Sequence, residues 1–309
     1  MQRNFSRIEG TLHVMLARSV KPTLSIVGAG RLGRTLGKRL RESGWQIGAV
    51  VTRSKATSRA AVRAIGAGQP SAGLSLGVLA ADVIVLAVPD DSVPTVVATL
   101  AKIGGSAWRG KVVLHTSGAL DASVLAPLAR LGAATGSLHP MQTFGGKIIP
   151  NLGGVTIAIE GGTKALRVAR IIARTLGGVP VVIAGRDKPV YHLTAVLAAG
   201  SGFPLMEISI QMLAGIGFSR RRAFRTLLPL ARQMLDNIER IGSRAAWTGP
   251  LSRGDYATMA KHLRALRRYP REVRRAYEAL ALLAGRVLAT DPSAALKQIQ
   301  RTLGKIKEE

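Results

Sequence analysis

The sequence predicts an α/β protein, a doubly wound and mostly parallel sheet followed by an all-helical domain, and three observations predict it. From Pro22 to about Gly185 short apolar runs alternate with amphipathic stretches, the pattern of a parallel sheet covered on both faces. The first run leads directly into Gly28-x-Gly30-x-x-Gly33, a turn-and-helix signal. Beyond Asp187 the strand-like runs stop and helical periodicity continues to the end. The 309 residues are 47% apolar, enough to bury a large core and too apolar for a disordered chain. There is no cysteine, which excludes disulfides, thiolate zinc sites and cysteine nucleophiles. Nothing calls for an oxidising compartment, and a cytoplasmic location is expected.

Taken in order, residues 1–22 read as an N-terminal extension. Its apolar run from Thr11 to Ala17 is at the lower limit for a secretory signal and no small-residue cleavage site follows. The strand candidates are 23–28, 47–52, 82–89, 111–117, 134–139, 155–160 and 179–184, joined by amphipathic stretches such as "RLGRTLGKRLRESG" and "SVPTVVATLAKIG". The boundary falls near "AGRDKP", giving a first domain over 23–186 and a helical one over 187–309. Helical patterns cover 188–217, 219–242, 252–268, 271–289 and 292–306, separated by Gly, Pro and Ser turns. The segment from Val196 to Phe218 is long enough to cross a bilayer. It contains Pro204 and Glu207, so the expectation is a mostly buried helix at a domain or subunit interface.

The glycine motif follows a buried strand and opens a helix, the context a dinucleotide fingerprint requires. Gly28 permits the tight turn, Gly30 lets the backbone approach a pyrophosphate, and Gly33 allows close helix–strand packing. Ala29, Arg31 and Leu32 complete the turn, and the helix start offers free N–H groups and its dipole to a phosphate. This is the signature of the Rossmann-type fold. About 20 residues on, an NAD site carries a carboxylate for the ribose 2′-hydroxyl. Here the second strand ends in Thr52-Arg53-Ser54 with Lys55 next. An arginine and two hydroxyls suit a 2′-phosphate, so NADP is expected; the alternative is a solvent-facing arginine in a basic protein.

In an open α/β sheet the ligand lies beyond the carboxyl ends of the strands. One such end is Val88-Pro89-Asp90, either a loop beneath the nicotinamide ribose or, through Asp90, a helix cap. Two others place His115, with Thr116 and Ser117, and His139 at adjacent strand ends facing one crevice. Hydride transfer needs a proton donor or acceptor near neutral pH, which histidine supplies; the alternative is that both rings satisfy backbone carbonyls. Ser117 is a candidate for orienting substrate. In the helical half, Arg253 offers a fork for a carboxylate and Asp255 either pairs with it, orients a histidine or caps a helix. Tyr191 and His192 face the crevice if the helical half docks over it. A metal site from His115, His139 and His262 has no supporting ligand spacing, and no metal is expected.

The net charge is +27, with 18 basic against 7 acidic residues through Glu160 and 26 against 10 after it. Such a field attracts polyanions non-specifically. Its clusters, 219–225 and 262–275, lie on amphipathic helices with few aromatics interleaved, so a solvated surface is expected rather than a dedicated nucleic-acid face.

The segments "IVGAGRLGRTL", "DVIVLAVPDDSV", "HTSGALDASVLAPLARLGAATGSLHPMQTF" and "TGPLSRGDYATMAKHLRAL" resemble the bacterial family that couples a Rossmann-like NADP-binding domain to a C-terminal domain of unknown function 2520. The resemblance runs from about Thr23 to Tyr277. More distantly, the chain is similar to pyrroline-5-carboxylate reductase, deazaflavin-dependent NADP reductases and the 6-phosphogluconate dehydrogenase-like superfamily. The superfamily's lysine motif, GxxGxGxxxKxxN, has no match here. The resemblance implies a helical domain of the 6-phosphogluconate dehydrogenase C-terminal type, a homodimer formed through it, and NADP-dependent oxidoreductase chemistry on a small-molecule substrate. A small carbonyl or imine is the expected substrate. A dinucleotide-binding protein without catalysis and a non-specific nucleic-acid binder are the alternatives; neither a specific nucleic acid nor a membrane is an expected partner.

Overall fold

A computed structural model describes residues 22–146 and 148–308. The expected N-terminal extension, with His13, lies outside them except for Pro22. The chain packs as two compact units that divide between Gly200 and Ser201.

The first unit is an eight-stranded sheet in the order β3-β2-β1-β4-β5-β6-β7-β8. Its strands are β1 (Thr23–Val27), β2 (Gln46–Thr52), β3 (Gln69–Ala72), β4 (Val83–Leu86), β5 (Val112–His115), β6 (Ala134–Pro140), β7 (Thr156–Gly161) and β8 (Val179–Val182). All neighbours are parallel except β6 and β7. Helices α1 (Arg31–Glu42), α2 (Lys55–Ile65), α3 (Val93–Gly104), α4 (Ala126–Arg130), α5 (Thr163–Thr175) and α6 (Lys188–Ala195) connect the strands and close the unit. Two apolar cores form because strand side chains alternate faces. Val83 and Val85 enter one and Ile84 and Leu86 the other, as Leu114 and Val113 do on β5. Strands buried on both faces read as continuous apolar runs, as β1, β4 and β5 do; β8 is also an apolar run, though it is largely exposed at the sheet edge. At the other edge, β3 pairs only with β2. It contains Pro70 and contributes backbone rather than apolar side chains, so it carries no apolar signal.

Beyond Ser201 the second unit is helical: α7 (Gly202–Ala214), α8 (Arg220–Ile241), the short α9 (Ser243–Ala246), α10 (Tyr256–Ala265), α11 (Arg271–Val287) and α12 (Pro292–Glu308). Met259 and Leu263 of α10, Ala281 of α11 and Ile299, Leu303 and Ile306 of α12 form its core. One expectation fails within the single chain. Among residues 196–218 only Ile210 is buried and the others are exposed or half-buried, so one chain by itself covers the apolar segment only in part. The helical stretch 185–214 is long and apolar enough to cross a membrane by length and composition.

Candidate functional site

Parallel register lines the strand ends up. Val27 pairs with Val51 and with Leu86, Leu86 with His115, and His115 with Ser137. One residue further on, Thr52, Gly28, Ala87, Thr116 and Leu138 therefore form a row across five strands, and the candidate site is built along it. The order β3-β2-β1-β4-β5-β6 reverses direction between β1 and β4, where a crevice for a ligand opens in sheets of this kind.

The glycine turn sits at that reversal. Gly28 has φ of +91°, and a Cβ there would meet the Ala87 carbonyl oxygen at 2.5 Å. A Cβ on Gly33 would collide with the Gly28 carbonyl oxygen. At Gly30 a Cβ would meet nothing within 4 Å. Two glycines are thus required by the protein's own backbone, while the third borders open space. Gly30 is also the N-cap of α1, without a side chain to cap it, so the first N–H groups of the helix, at Arg31, Leu32 and Gly33, have no intrahelical acceptor. An open cradle edged by these donors fits a diphosphate. The Arg31 guanidinium donates to the Phe144 carbonyl at 3.3 Å.

Beside the turn, Thr52 ends β2 and Arg53 is exposed. The Thr52 and Thr57 hydroxyls lie 2.6 Å apart, and Ser54 caps α2 by accepting the Thr57 N–H at 3.2 Å. Arg53 precedes the first turn of α2 and Lys55 begins it, so two cations border these hydroxyls.

On the other side of β1, Val88 and Asp90 are half-buried and Pro89 exposed. Asp90 does not cap α3; it accepts the Ser117 hydroxyl at 2.7 Å. Ser117 Oγ in turn accepts the N–H groups of Ala119 (3.1 Å) and Leu120 (2.9 Å). The bond joins the loops after β4 and β5.

The two strand-end histidines part company here. His115 is fully buried. Its Nε2–H donates to the Asp121 carbonyl at 3.1 Å and its Nδ1 accepts the Ser117 N–H at 3.2 Å. Both nitrogens are spent on backbone, so the expectation that His115 faces the crevice as an acid or base is corrected; it shapes the loop. Burial, with the Lys188 charge, lowers its pKa to about 4. His139 is half-buried. Its ring meets Tyr191 edge-on at 5.6 Å and His192 at 5.7 Å. A Cβ on Gly118 would strike both His192 and His139, so a bare loop backbone is what lets the two rings approach. Burial first, then His192 and Lys188, lowers the His139 pKa to about 4. Tyr191 and His192 reach this group from α6, within the sheet unit itself.

Sequence reasoning missed Lys188. It is fully buried at the start of α6, and its Nζ donates to the Ser117 carbonyl at 2.9 Å and the Ser137 hydroxyl at 2.7 Å. The one available signal was its place, just after the last strand at the expected boundary. Glu160 of β7 was missed too; it accepts the Ser137 hydroxyl at 3.1 Å and the Ala122 N–H at 2.9 Å.

Arg253 and Asp255 belong to the helical unit. Arg253 is exposed at the end of a short 3-10 turn. Asp255 caps α10, accepting the Thr258 N–H at 3.0 Å and hydroxyl at 2.7 Å. Those bonds hold its carboxyl below the usual carboxylate range. His262 Nδ1 lies 2.9 Å from the Tyr277 hydroxyl.

Residues 13–140 match the Rossmann-like domain family, and residues 155–284 match the domain of unknown function 2520. No curated protein matches the chain. Among solved structures, a Bacteroides fragilis protein provisionally described as an NADP oxidoreductase is similar at 23% identity and a TM-score of 0.69, over 85% of this chain and 97% of that one. A reductive aminase from Aspergillus terreus, in complex with NADPH and ethyl-5-oxohexanoate, is similar at 17% identity and a TM-score of 0.68, over 90% and 99%. An imine reductase from a Pseudomonas species is similar at 20% identity and a TM-score of 0.64, over 90% and 99%. These are likenesses of fold.

Proposed function

From a chain that joins a Rossmann-like domain to a domain of unknown function 2520, we propose an NADP-dependent oxidoreductase that moves a hydride between NADP(H) and a small carbonyl or imine. The observation that carries this reading is the glycine turn: Gly28 and Gly33 have no room for a side chain, and Gly30 alone borders open space at the head of α1. A turn that was glycine-rich only for packing would need the first two and not the third. Arg53, with Lys55 and the Thr52–Ser54–Thr57 hydroxyls, is the proposed seat of the 2′-phosphate. Val88, Pro89 and Asp90 would border the cofactor on the β4 side. The NADPH-bound reductive aminase of the same fold supports the choice of cofactor.

At the reacting end, His139, with Tyr191 and His192 against it, is the proposed group that contacts substrate. A ring whose pKa lies near 4 is neutral at pH 7, so His139 would hold the substrate's oxygen or nitrogen by a hydrogen bond rather than arrive as an imidazolium. Ser117, tied to Asp90, would keep the neighbouring loop in place. In the helical unit, exposed Arg253 is a candidate for holding a substrate carboxylate, while the Asp255 carboxylate is taken up in capping α10.

A homodimer formed through the helical unit belongs to the same proposal. An apolar cavity of about 840 Å³ opens between α7 and α11, lined by Leu205, Ile208, Met212, Val273, Ala276 and Leu280. On α8, Leu230, Leu235 and Ile241 are 69%, 61% and 59% exposed. Apolar surface on this scale belongs against a partner.

The test is a screen of NADPH oxidation against oxo acids, aldehydes, ketones and cyclic imines. Turnover of one class with NADPH supports the proposal. Tight NADPH binding without turnover of any would favour a dinucleotide-binding protein without catalysis.

A further inference from the structure

Lys188 is buried to 0% exposure, a costly place for a charged side chain. An ammonium carries three N–H donors. Two of them reach the Ser117 carbonyl and the Ser137 hydroxyl, on the loop after β5 and on β6. Each of those residues passes the link outward. Ser117 donates to Asp90 after β4, and Ser137 to Glu160 on β7, which holds the Ala122 N–H. One cation therefore closes a network across four neighbouring strands, from the loops after β4 and β5 to β6 and β7. Ser137 and His139 are two apart on β6 and project on the same face, so the charge beside Ser137 is also close to His139.

Removing an ammonium from water is costly. Asp90, Asp121 and Glu160 attract this one, yet burial outweighs them and lowers its pKa to about 8. The charge thus works against stability at neutral pH, and a methionine would fill the space without it. Facing the ammonium are His115 and Asp121 from β5 and its loop, Asp90 from the loop after β4, His139 from β6 and Glu160 from β7. His192, on the same helix as Lys188, faces His139.

We propose that Lys188 is a positioning residue for the reacting end: it locks the 116–122 loop to β6 and sets a fixed positive charge against His139. The assignment of a reacting end rests on the proposed function; the lock and the charge are measurable without any substrate. Acting through Ser117 and His139, Lys188 itself touches neither substrate nor cofactor.

The test compares wild type with Lys188→Met and Ser137→Ala, with folding checked by thermal melting. Amide exchange is followed at Ala119, Leu120 and Ala122, and the His139 ring is titrated by NMR, assigned through His139→Gln. Lys188→Met is expected to speed exchange at those amides roughly tenfold or more, as on losing a hydrogen bond to a charged group. It is also expected to move the His139 midpoint upward, because a positive neighbour is gone. Ser137→Ala removes one acceptor, should loosen the same amides to a smaller extent, and carries the test if Lys188→Met fails to fold. Unchanged exchange in both variants, or an unmoved His139 midpoint in folded Lys188→Met, overturns the proposal. NADPH is titrated into the same samples by calorimetry. Absence of binding to wild type would defeat the proposed function and leave the exchange and titration results to judge Lys188.

Discussion

At neutral pH the His115 ring carries one proton, on Nε2, and that proton is committed to the Asp121 carbonyl while Nδ1 accepts the Ser117 N–H. The consequence is a stability that depends on acid. Its folded pKa of about 4 lies below the ordinary 6.5, so between these values the unfolded chain binds more protons. His115 then contributes fully above about pH 6.5 and loses its contribution as the pH falls toward 4, a change on the order of 3 kcal/mol. Replacing His115 by Phe should flatten the melting temperature against pH over that window and lower it at pH 7. His139→Phe, which removes the ring's hydrogen bond, should instead keep NADPH affinity and lower turnover on a screened substrate by about tenfold; near-wild-type turnover would remove His139 from the reacting end. Arg53→Ala should erase most of a preference for NADPH over NADH, checked by calorimetry with both. The sequence showed that these histidines sit at strand ends, because strands are periodic. Which ring nitrogens the backbone takes depends on the path of the 116–122 loop, and periodicity does not encode that. Lys188 was hidden for a related reason: lysine on a helix start is ordinarily solvated, and only the carbonyl of Ser117 and the hydroxyl of Ser137, distant in sequence, explain its burial.

The glycine turn was the most legible element, since its strand, spacing and helix are contiguous in the chain. The structure adds that its three glycines do different work, and this separates folding from binding. Gly33→Ala meets the Gly28 carbonyl, and Gly28→Ala combines a φ of +91° with the Ala87 carbonyl; both should lower the melting temperature by several degrees. A Cβ at Gly30 meets nothing within 4 Å, and Gly30→Leu is expected to melt as wild type does. The strand β3 and the domain boundary were less legible. β3 has β2 as its one strand neighbour. The expected boundary near residue 186 lies ahead of the point where packing divides, after Gly200, because α6 is anchored to the sheet through Lys188, Tyr191 and His192.

For the whole molecule, the sequence separated the sheet from the helices and flagged the apolar segment after Val196, which is mostly exposed in a single chain. If a second copy covers it, light scattering coupled to sizing should give twice the 32.5 kDa chain mass; a monodisperse monomer would contradict the dimer. The +27 charge predicts weak DNA binding that disappears as salt rises, and binding that survives high salt would favour a nucleic-acid role. The most direct measurement of the central claim is calorimetric titration of NADPH into wild type and into Gly30→Leu. Saturable binding of one NADPH per chain is expected in wild type, and its loss is expected in a Gly30→Leu protein that melts as wild type does. No binding to wild type, or equal binding by the two proteins, would contradict it.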